Sequence, residues 1–144
     1  MKKLLIILIL VFIGIQFVPM NVPADLPVKE GDAIEAPENV QAILKRSCFD
    51  CHSSHTTFPW YSSIAPASWL TKIHVKEGRE HLNFSTWNSY DDEKKLKYLE
   101  KFPKAIKSKM PMPSYLIMHK EATLSDEDKK AIAEWASEVA FDLE

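Results

Sequence analysis

The chain has 144 residues, 46% of them hydrophobic, and a formal net charge of −2. That length suits one small domain, and the near-neutral balance excludes a strongly basic nucleic-acid binder, so no nucleic-acid partner is expected. Only three glycines occur, and Asn-Gly and Asp-Gly hairpin signals are absent, which points away from hairpins to an all-α fold.

Lys2 and Lys3 precede an apolar run from Leu4 to Val18, broken only by Gly14 and Gln16. A positive start followed by an apolar run reads as an export signal, and the lysine pair orients the rest of the chain outward. Residues 1–24 are therefore a signal anchor or a signal peptide. Retention is the expectation: an N-terminal transmembrane helix holding the protein on the periplasmic side of a bacterial cytoplasmic membrane. The run is shorter than the ~20 residues that span a bilayer comfortably, but extension through Met20 and Val22 would lengthen it. The small residues of Val22-Pro23-Ala24 offer the alternative, cleavage before Asp25 and a soluble periplasmic product. No cysteine follows the run, so lipid attachment there is excluded.

Residues 25–36 read as a linker, with Pro19, Pro23, Pro27 and Pro37 punctuating the stretch around it. Such a segment is extended and semi-stiff, and would hold a domain off the membrane. The domain proper, 37–144, opens with a helix from Pro37 to about Ser47. Proline suits the first helical turn, and Val40, Ile43, Leu44 and Ser47 share one face.

That helix runs into Cys48-Phe49-Asp50-Cys51-His52, the pattern C-x-x-C-H. Two thiols two residues apart, followed at once by an imidazole, are what covalent haem attachment needs: the thiols add across the two vinyl groups, and the histidine lies under the iron as a ligand. These are the only two cysteines. A structural zinc site lacks a second cysteine pair, and a thioredoxin-like dithiol lacks its βαβ setting. The reading is one covalent haem c on Cys48 and Cys51, with His52 on its iron.

Residues 53–63 are irregular. Phe58, Trp60 and Tyr61 are candidates to pack on the porphyrin edge, Trp60 foremost, and His55 reads as a solvent-facing loop residue. A backbone carbonyl from Ala65 or Pro66 is expected to accept the other N–H of His52 and so fix its tautomer. A second helix follows from Pro66 to about Gly78, with His74 in its apolar stripe. Arg79 is a candidate partner for a haem propionate, since a guanidinium matches a carboxylate with two hydrogen bonds.

A longer helix comes next. Ser89 with Asp92 resembles a capping box, Leu96, Leu99, Phe102 and Ile106 give its buried face, and Pro103 should kink it or start a new helix. Between Lys94 and Lys109 stand seven lysines, opposed only by Glu100. They make a solvated face or a basic patch that steers an acidic redox partner. Met110-Pro111-Met112-Pro113 then offers a thioether as the second axial ligand: Met110, with Met112 as the alternative. The closing helix starts at Ser125-Asp126-Glu127-Asp128, acids favouring its positive end, and carries the stripe Ile132, Trp135, Ala136, Val139 and Leu143.

Residues 37–138 resemble the haem-binding domain family of single-haem, cytochrome-c-like exported bacterial proteins. The pieces that carry the resemblance are Cys48-Phe49-Asp50-Cys51-His52, Phe58-Pro59-Trp60-Tyr61, Pro66-Ala67-Ser68-Trp69-Leu70 and Glu77-Gly78-Arg79. With them go His81-Leu82-Asn83-Phe84-Ser85-Thr86-Trp87, Met110-Pro111, and Leu124-Ser125 leading into Trp135-Ala136. The resemblance implies covalent haem c in a cytochrome-c-like helical domain wrapped around it, with Met-Pro presenting the distal ligand. In such cytochromes the last helix crosses the first at an aromatic, the role open to Trp135.

The function expected is a c-type monohaem cytochrome that carries electrons outside the cytoplasmic membrane with His/Met iron ligation, rather than an enzyme. Its partners are redox proteins outside the cytoplasm and, through the N-terminal segment, the membrane. The alternative is a haem-based sensor or peroxidase-like domain whose sixth position is open or taken by histidine, His74 or His81.

Overall fold

Residues 1–143 are described by a computed structural model, and their regular structure is helical. In chain order the helices are α1 (Lys2–Ile15), α2 (Glu38–Ser47), α3 (Phe49–His52), α4 (Ala67–His81), α5 (Asp92–Ser108), α6 (Pro113–Leu116) and α7 (Asp126–Leu143). Three 3-10 turns, Trp60–Ser63, Phe84–Ser89 and Lys120–Ala122, lie between them. Among the described residues the strand-like feature is one isolated antiparallel bridge, Asp25 to His55. The chain is thus all-α.

The helix ends follow local chemistry. At the start of α7, the Ser125 hydroxyl accepts from the Asp128 amide at 3.0 Å while the Asp128 carboxylate accepts from the Ser125 amide at 3.0 Å. This is a reciprocal cap with aspartate in the third helical position. α5 departs from expectation. Its cap is Asp91, whose carboxylate accepts from the Lys94 amide at 2.8 Å, and Ser89 instead donates to Asp32 at 2.8 Å. α5 also continues through Pro103 to Ser108, so no new helix begins there.

The core lies between α2, α5 and α7. Val40, Ile43 and Leu44 meet Leu99 and Phe102 and then Ile132, Trp135 and Ala136. At the partly buried ends of these stripes lie Ile106, Val139 and Leu143. An aromatic column runs through this core. Phe49 stacks on Phe84 at 5.5 Å, Phe84 meets Phe102 edge-on at 6.0 Å, and Phe102 stacks on Trp135 at 6.2 Å. Phe49 lies between the two cysteines, so the column couples the C-x-x-C-H turn to α5 and α7. An Arg46–Asp128 ion pair at 2.7 Å joins α2 to α7 at the surface.

The linker lies on the domain instead of standing off it. Ile34 is buried in the core, and its amide donates to the Phe84 carbonyl at 2.8 Å. The Leu26 amide donates to the Ser54 carbonyl and the Thr56 amide to the Ala24 carbonyl, both at 2.9 Å. The stretch also turns on itself, the Asp32 amide donating to the Lys29 carbonyl at 3.2 Å around Gly31 at φ 81°, and what proline content does not encode is that loop 53–56 offers a matching edge. Ahead of it, α1 covers 14 residues, shorter than the expected membrane helix. Among the described residues no helix is long and apolar enough to cross a membrane.

Candidate functional site

Cys48 ends α2 with φ −131° and ψ −36°, outside helical geometry, and a single helical turn, α3, follows. The His52 amide closes that turn on the Cys48 carbonyl at 2.9 Å. One turn brings Cys48, Cys51 and His52 to the wall of one cleft. Helix α4 forms the opposite wall, and its approach is set by Gly78. A Cβ there would stand 2.5 Å from the Cys51 carbonyl oxygen, so only glycine lets the helix come this close.

The cleft consists of three adjoining cavities of about 210, 190 and 100 Å³. Cys48, His52, His81 and Met110 line both of the larger two. Asp50, Cys51, His74, Met112 and Tyr115 are shared between the first and the smallest. Tyr98, Phe102 and Ile106 of α5 close the inner end, with Lys101 and Lys109 at its rim. Joined, the cavities reach the size of a small-molecule site, roughly 300–1,000 Å³, with a mostly apolar lining and a few convergent donor groups.

His52 is oriented from behind. Its Nδ1–H donates to the Leu82 carbonyl at 2.9 Å. A ring nitrogen that donates must carry the proton, so Nε2 keeps its lone pair. Burial pushes the imidazole pKa down, and the Leu82 bond opposes this only in part, so the neutral ring is favoured. Neither Ala65 nor Pro66 supplies this carbonyl; the Ala65 oxygen accepts instead from the Gln16 side chain. Leu82 itself is held by a buried polar lattice. The Asn83 side chain accepts from the Ser85 amide at 2.9 Å and donates to the Ser54 hydroxyl at 3.0 Å, and the Ser54 amide donates to the Ser85 hydroxyl at 3.0 Å. Leu82, Asn83 and Ser85 belong to the stretch 81–87 that carries the family resemblance, but the sequence does not assign them this role, and Ser54 carries no signal of it.

Both thiols are free and half-buried. Burial, and then the neighbouring Cys51, push Cys48 up to about 12 against the pull of Arg46. Burial and Asp50 push Cys51 up to about 11 against Arg79. Protonated thiols are the reverse of what a dithiol redox pair requires, where one sulfur is held as thiolate.

Arg79 does not face the cleft. Its guanidinium donates to the carbonyls of Ser53 at 2.8 Å, Pro23 at 2.6 Å and Ala24 at 2.8 Å, and to the Thr56 hydroxyl at 2.8 Å. Four oxygens converging on one side of α4 satisfy the fork, so it clamps the linker and the loop after His52 instead of waiting for a propionate. Trp60 is also outside the cleft: it is 72% exposed and stands edge-on to Tyr61. Tyr61, its neighbour, is the aromatic of that loop that lines a cavity. His55 is solvent-facing and pairs with Asp25 at 2.7 Å.

The methionines approach from the far side. The Met110 amide donates to Ala105 of α5 at 2.9 Å, and the Met112 carbonyl accepts from the Tyr115 amide at 2.9 Å, starting α6. Tyr115 then reaches back across the cleft, its hydroxyl donating to the Asp50 carboxylate at 2.7 Å. His119 stacks on the Tyr115 ring at 4.2 Å and accepts from the Tyr61 hydroxyl at 2.8 Å.

The donor set fits a haem. Two neutral thiols, an imidazole with a free Nε2 and two thioethers line one apolar cleft, whereas among the described residues no three His, Cys, Asp or Glu side chains gather to hold a bare metal ion. The sequence pattern of the haem-binding domain family matches residues 10–138. No curated protein and no solved structure matches the chain.

Proposed function

From the premise that this chain belongs to the haem-binding domain family, we propose that it is a c-type monohaem cytochrome, an electron carrier outside the cytoplasm with His52 and Met110 as axial ligands. The observation that carries this reading is the His52–Leu82 bond, which turns a neutral imidazole's lone pair toward the cleft that both thiols share. Cys48 and Cys51 would hold the haem covalently, each thiol adding as S–H across a vinyl group. Bound there, the haem supplies a one-electron iron centre. Phe84, Phe102 and Ile106 keep water from the inner end of the cleft.

Met110 is preferred to Met112 because it lines both cavities that His52 lines, while Met112 shares one of them. Thioether ligation raises the potential, which suits a carrier. The lysines of α5 continue to the rim of the cleft at Lys101 and Lys109, which supports a docking site for an acidic redox partner there.

Retention of α1 at the periplasmic side of the cytoplasmic membrane is part of the proposal. Cleavage before Asp25 would remove Pro23 and Ala24, two of the four oxygens that satisfy Arg79. The family match also takes in the end of α1 and all of the linker.

A second reading rests on His81, which lines both cavities beside His52. A histidine there would give a sensor or a peroxidase-like site. The test is expression with the cytochrome c maturation machinery, then haem staining of a denaturing gel and the oxidised absorption spectrum. A stained band with the weak red absorption of a Met–Fe bond is expected. No stain would end the covalent reading; high-spin features would favour an open sixth position with His81 as a distal residue, and a low-spin spectrum without the red band would favour His81 as the ligand.

A further inference from the structure

Helix α1 is apolar on every side, and no element of the domain covers it: from Leu4 to Ile13 its large side chains are about half exposed or more. A helix that is apolar all round requires an apolar environment. What distinguishes this one is how its end is fixed. The Gln16 side chain donates to the Ala65 carbonyl at 3.1 Å and accepts from the Ala65 amide at 2.9 Å. Trp69 Nε1–H donates to the Val18 carbonyl at 3.0 Å. The helix therefore leaves the domain at a defined place, just before α4 and on its first turn, rather than from a loose tether.

That place is ringed by apolar side chains left in solvent. Ile64 and Leu70 bracket the two docking residues in sequence, and Ile64, Leu70 and Trp60 are 41%, 52% and 72% exposed. On the chain side, Phe17 and Val18 are 81% and 56% exposed. The Tyr61–His119 hydrogen bond brings Ile117 and Met118, 71% and 53% exposed, to the same end of the domain.

We infer that this collar is a membrane-seating surface: Trp60, Ile64 and their neighbours lie in the headgroup region of a phospholipid bilayer while α1 enters its core. The inference rests on the reading that α1 is retained. Three observations select lipid as the occupant. The collar is continuous with the apolar helix that emerges from it. The linker, bonded along the domain, adds no spacer between domain and helix. And 14 residues reach only about 21 Å at 1.5 Å per residue, against a hydrocarbon core of about 30 Å. So short a helix is accommodated by local thinning, by Lys2 and Lys3 reaching for the far headgroups, and by the domain pressing close to the near ones. A tryptophan at the headgroup level is where its amphipathic ring is most stable.

The experiment uses the full, haem-loaded chain in vesicles of phosphatidylethanolamine and phosphatidylglycerol. Trp60→Cys and Ile64→Cys each carry a nitroxide, and Lys130→Cys on α7 is the control. Electron paramagnetic resonance then reads accessibility to oxygen, which partitions into lipid, against a water-soluble nickel chelate. The oxygen-to-nickel ratio at positions 60 and 64 should exceed that at 130 several-fold, and Gln16→Ala, which releases the clamp, should lower it toward the control. Equal ratios at all three positions, with the chain still floating on the vesicles, would overturn the seating surface and leave the anchor standing. A chain that does not float would overturn both. Exclusion of both reagents at 60 and 64 would mean a protein, such as a second copy, covers the collar, and would also overturn the inference. An unchanged ratio in Gln16→Ala would overturn the Gln16–Ala65 clamp as what seats it.

Discussion

The hydroxyl of Tyr115 and the carboxylate of Asp50 meet at 2.7 Å across the mouth of the cleft. Asp50 stands between the two cysteines, and Tyr115 starts three residues after Met112, so this one bond ties the methionine segment to the C-x-x-C-H turn. The phenol pKa is pushed far up, first by burial and then by that bond, so Tyr115 stays a donor throughout the physiological range. Tyr115→Phe should cost about 1.5–3 kcal/mol, the usual worth of a hydrogen bond to a charged group. It should also weaken the Met–Fe absorption band, and a denaturant titration followed at that band reads both effects. An unaltered midpoint would show that the bond contributes nothing.

Gly78 sets the width of the cleft. A methyl group there meets the Cys51 carbonyl at 2.5 Å, and backbone on the other side cannot swing away. Gly78→Ala should destabilise the domain by about 1–3 kcal/mol, the range for overpacking, although alanine favours an ordinary helix by about 1 kcal/mol. The yield of haem-stained protein should fall with it. A gain in thermal stability would sink the close-packing account.

The thiols offer a pH test in the chain before haem attachment. Raised pKa values favour the neutral S–H form, so thiolate is scarce at pH 7 and grows about tenfold per pH unit up to the pKa. Iodoacetamide labelling should be slow at neutral pH, rise steeply, and level off near pH 11 for Cys51 and about 12 for Cys48. Rapid labelling at pH 7 would instead reveal an activated dithiol.

Met110→Ala should lower the reduction potential and erase the Met–Fe band, while Met112→Ala leaves both nearly unchanged. The reverse outcome would move the ligand by two residues. No change in either would leave His81 or His74 as the candidate.

What could be read from the chain beforehand was the chemistry written in contiguous residues. The spacing of Cys48, Cys51 and His52 already put them on one turn, where they line one cleft, and the helices around Val40, Leu99 and Ile132 needed only their periodicity. Contacts between distant segments were harder. His52 was expected to lean on Ala65 or Pro66, but the oxygen that meets it belongs to Leu82, 30 residues away. Arg79 was expected to wait for a carboxylate, yet a guanidinium fork is satisfied equally by carbonyls, and four oxygens of loop and linker reach it first. Ser89 has the composition of a cap, but Asp91 lies at the turn and takes the role. In each case the residue type was informative and the partner was decided by tertiary packing.

The guanidinium of Arg79, resting on Pro23 and Ala24, has a practical bearing on how this protein is made. Exchanging a native export leader for a stronger one is routine in heterologous production and is usually treated as neutral to the passenger. Here the folded unit reaches back to Gln16, well ahead of residue 25. A secretion vector that joins its own leader at residue 25 would strip oxygens from Arg79, and would leave Trp69 and Ala65 facing water where Val18 and Gln16 had been. A graft that preserves the folded unit has to place its junction upstream of Gln16.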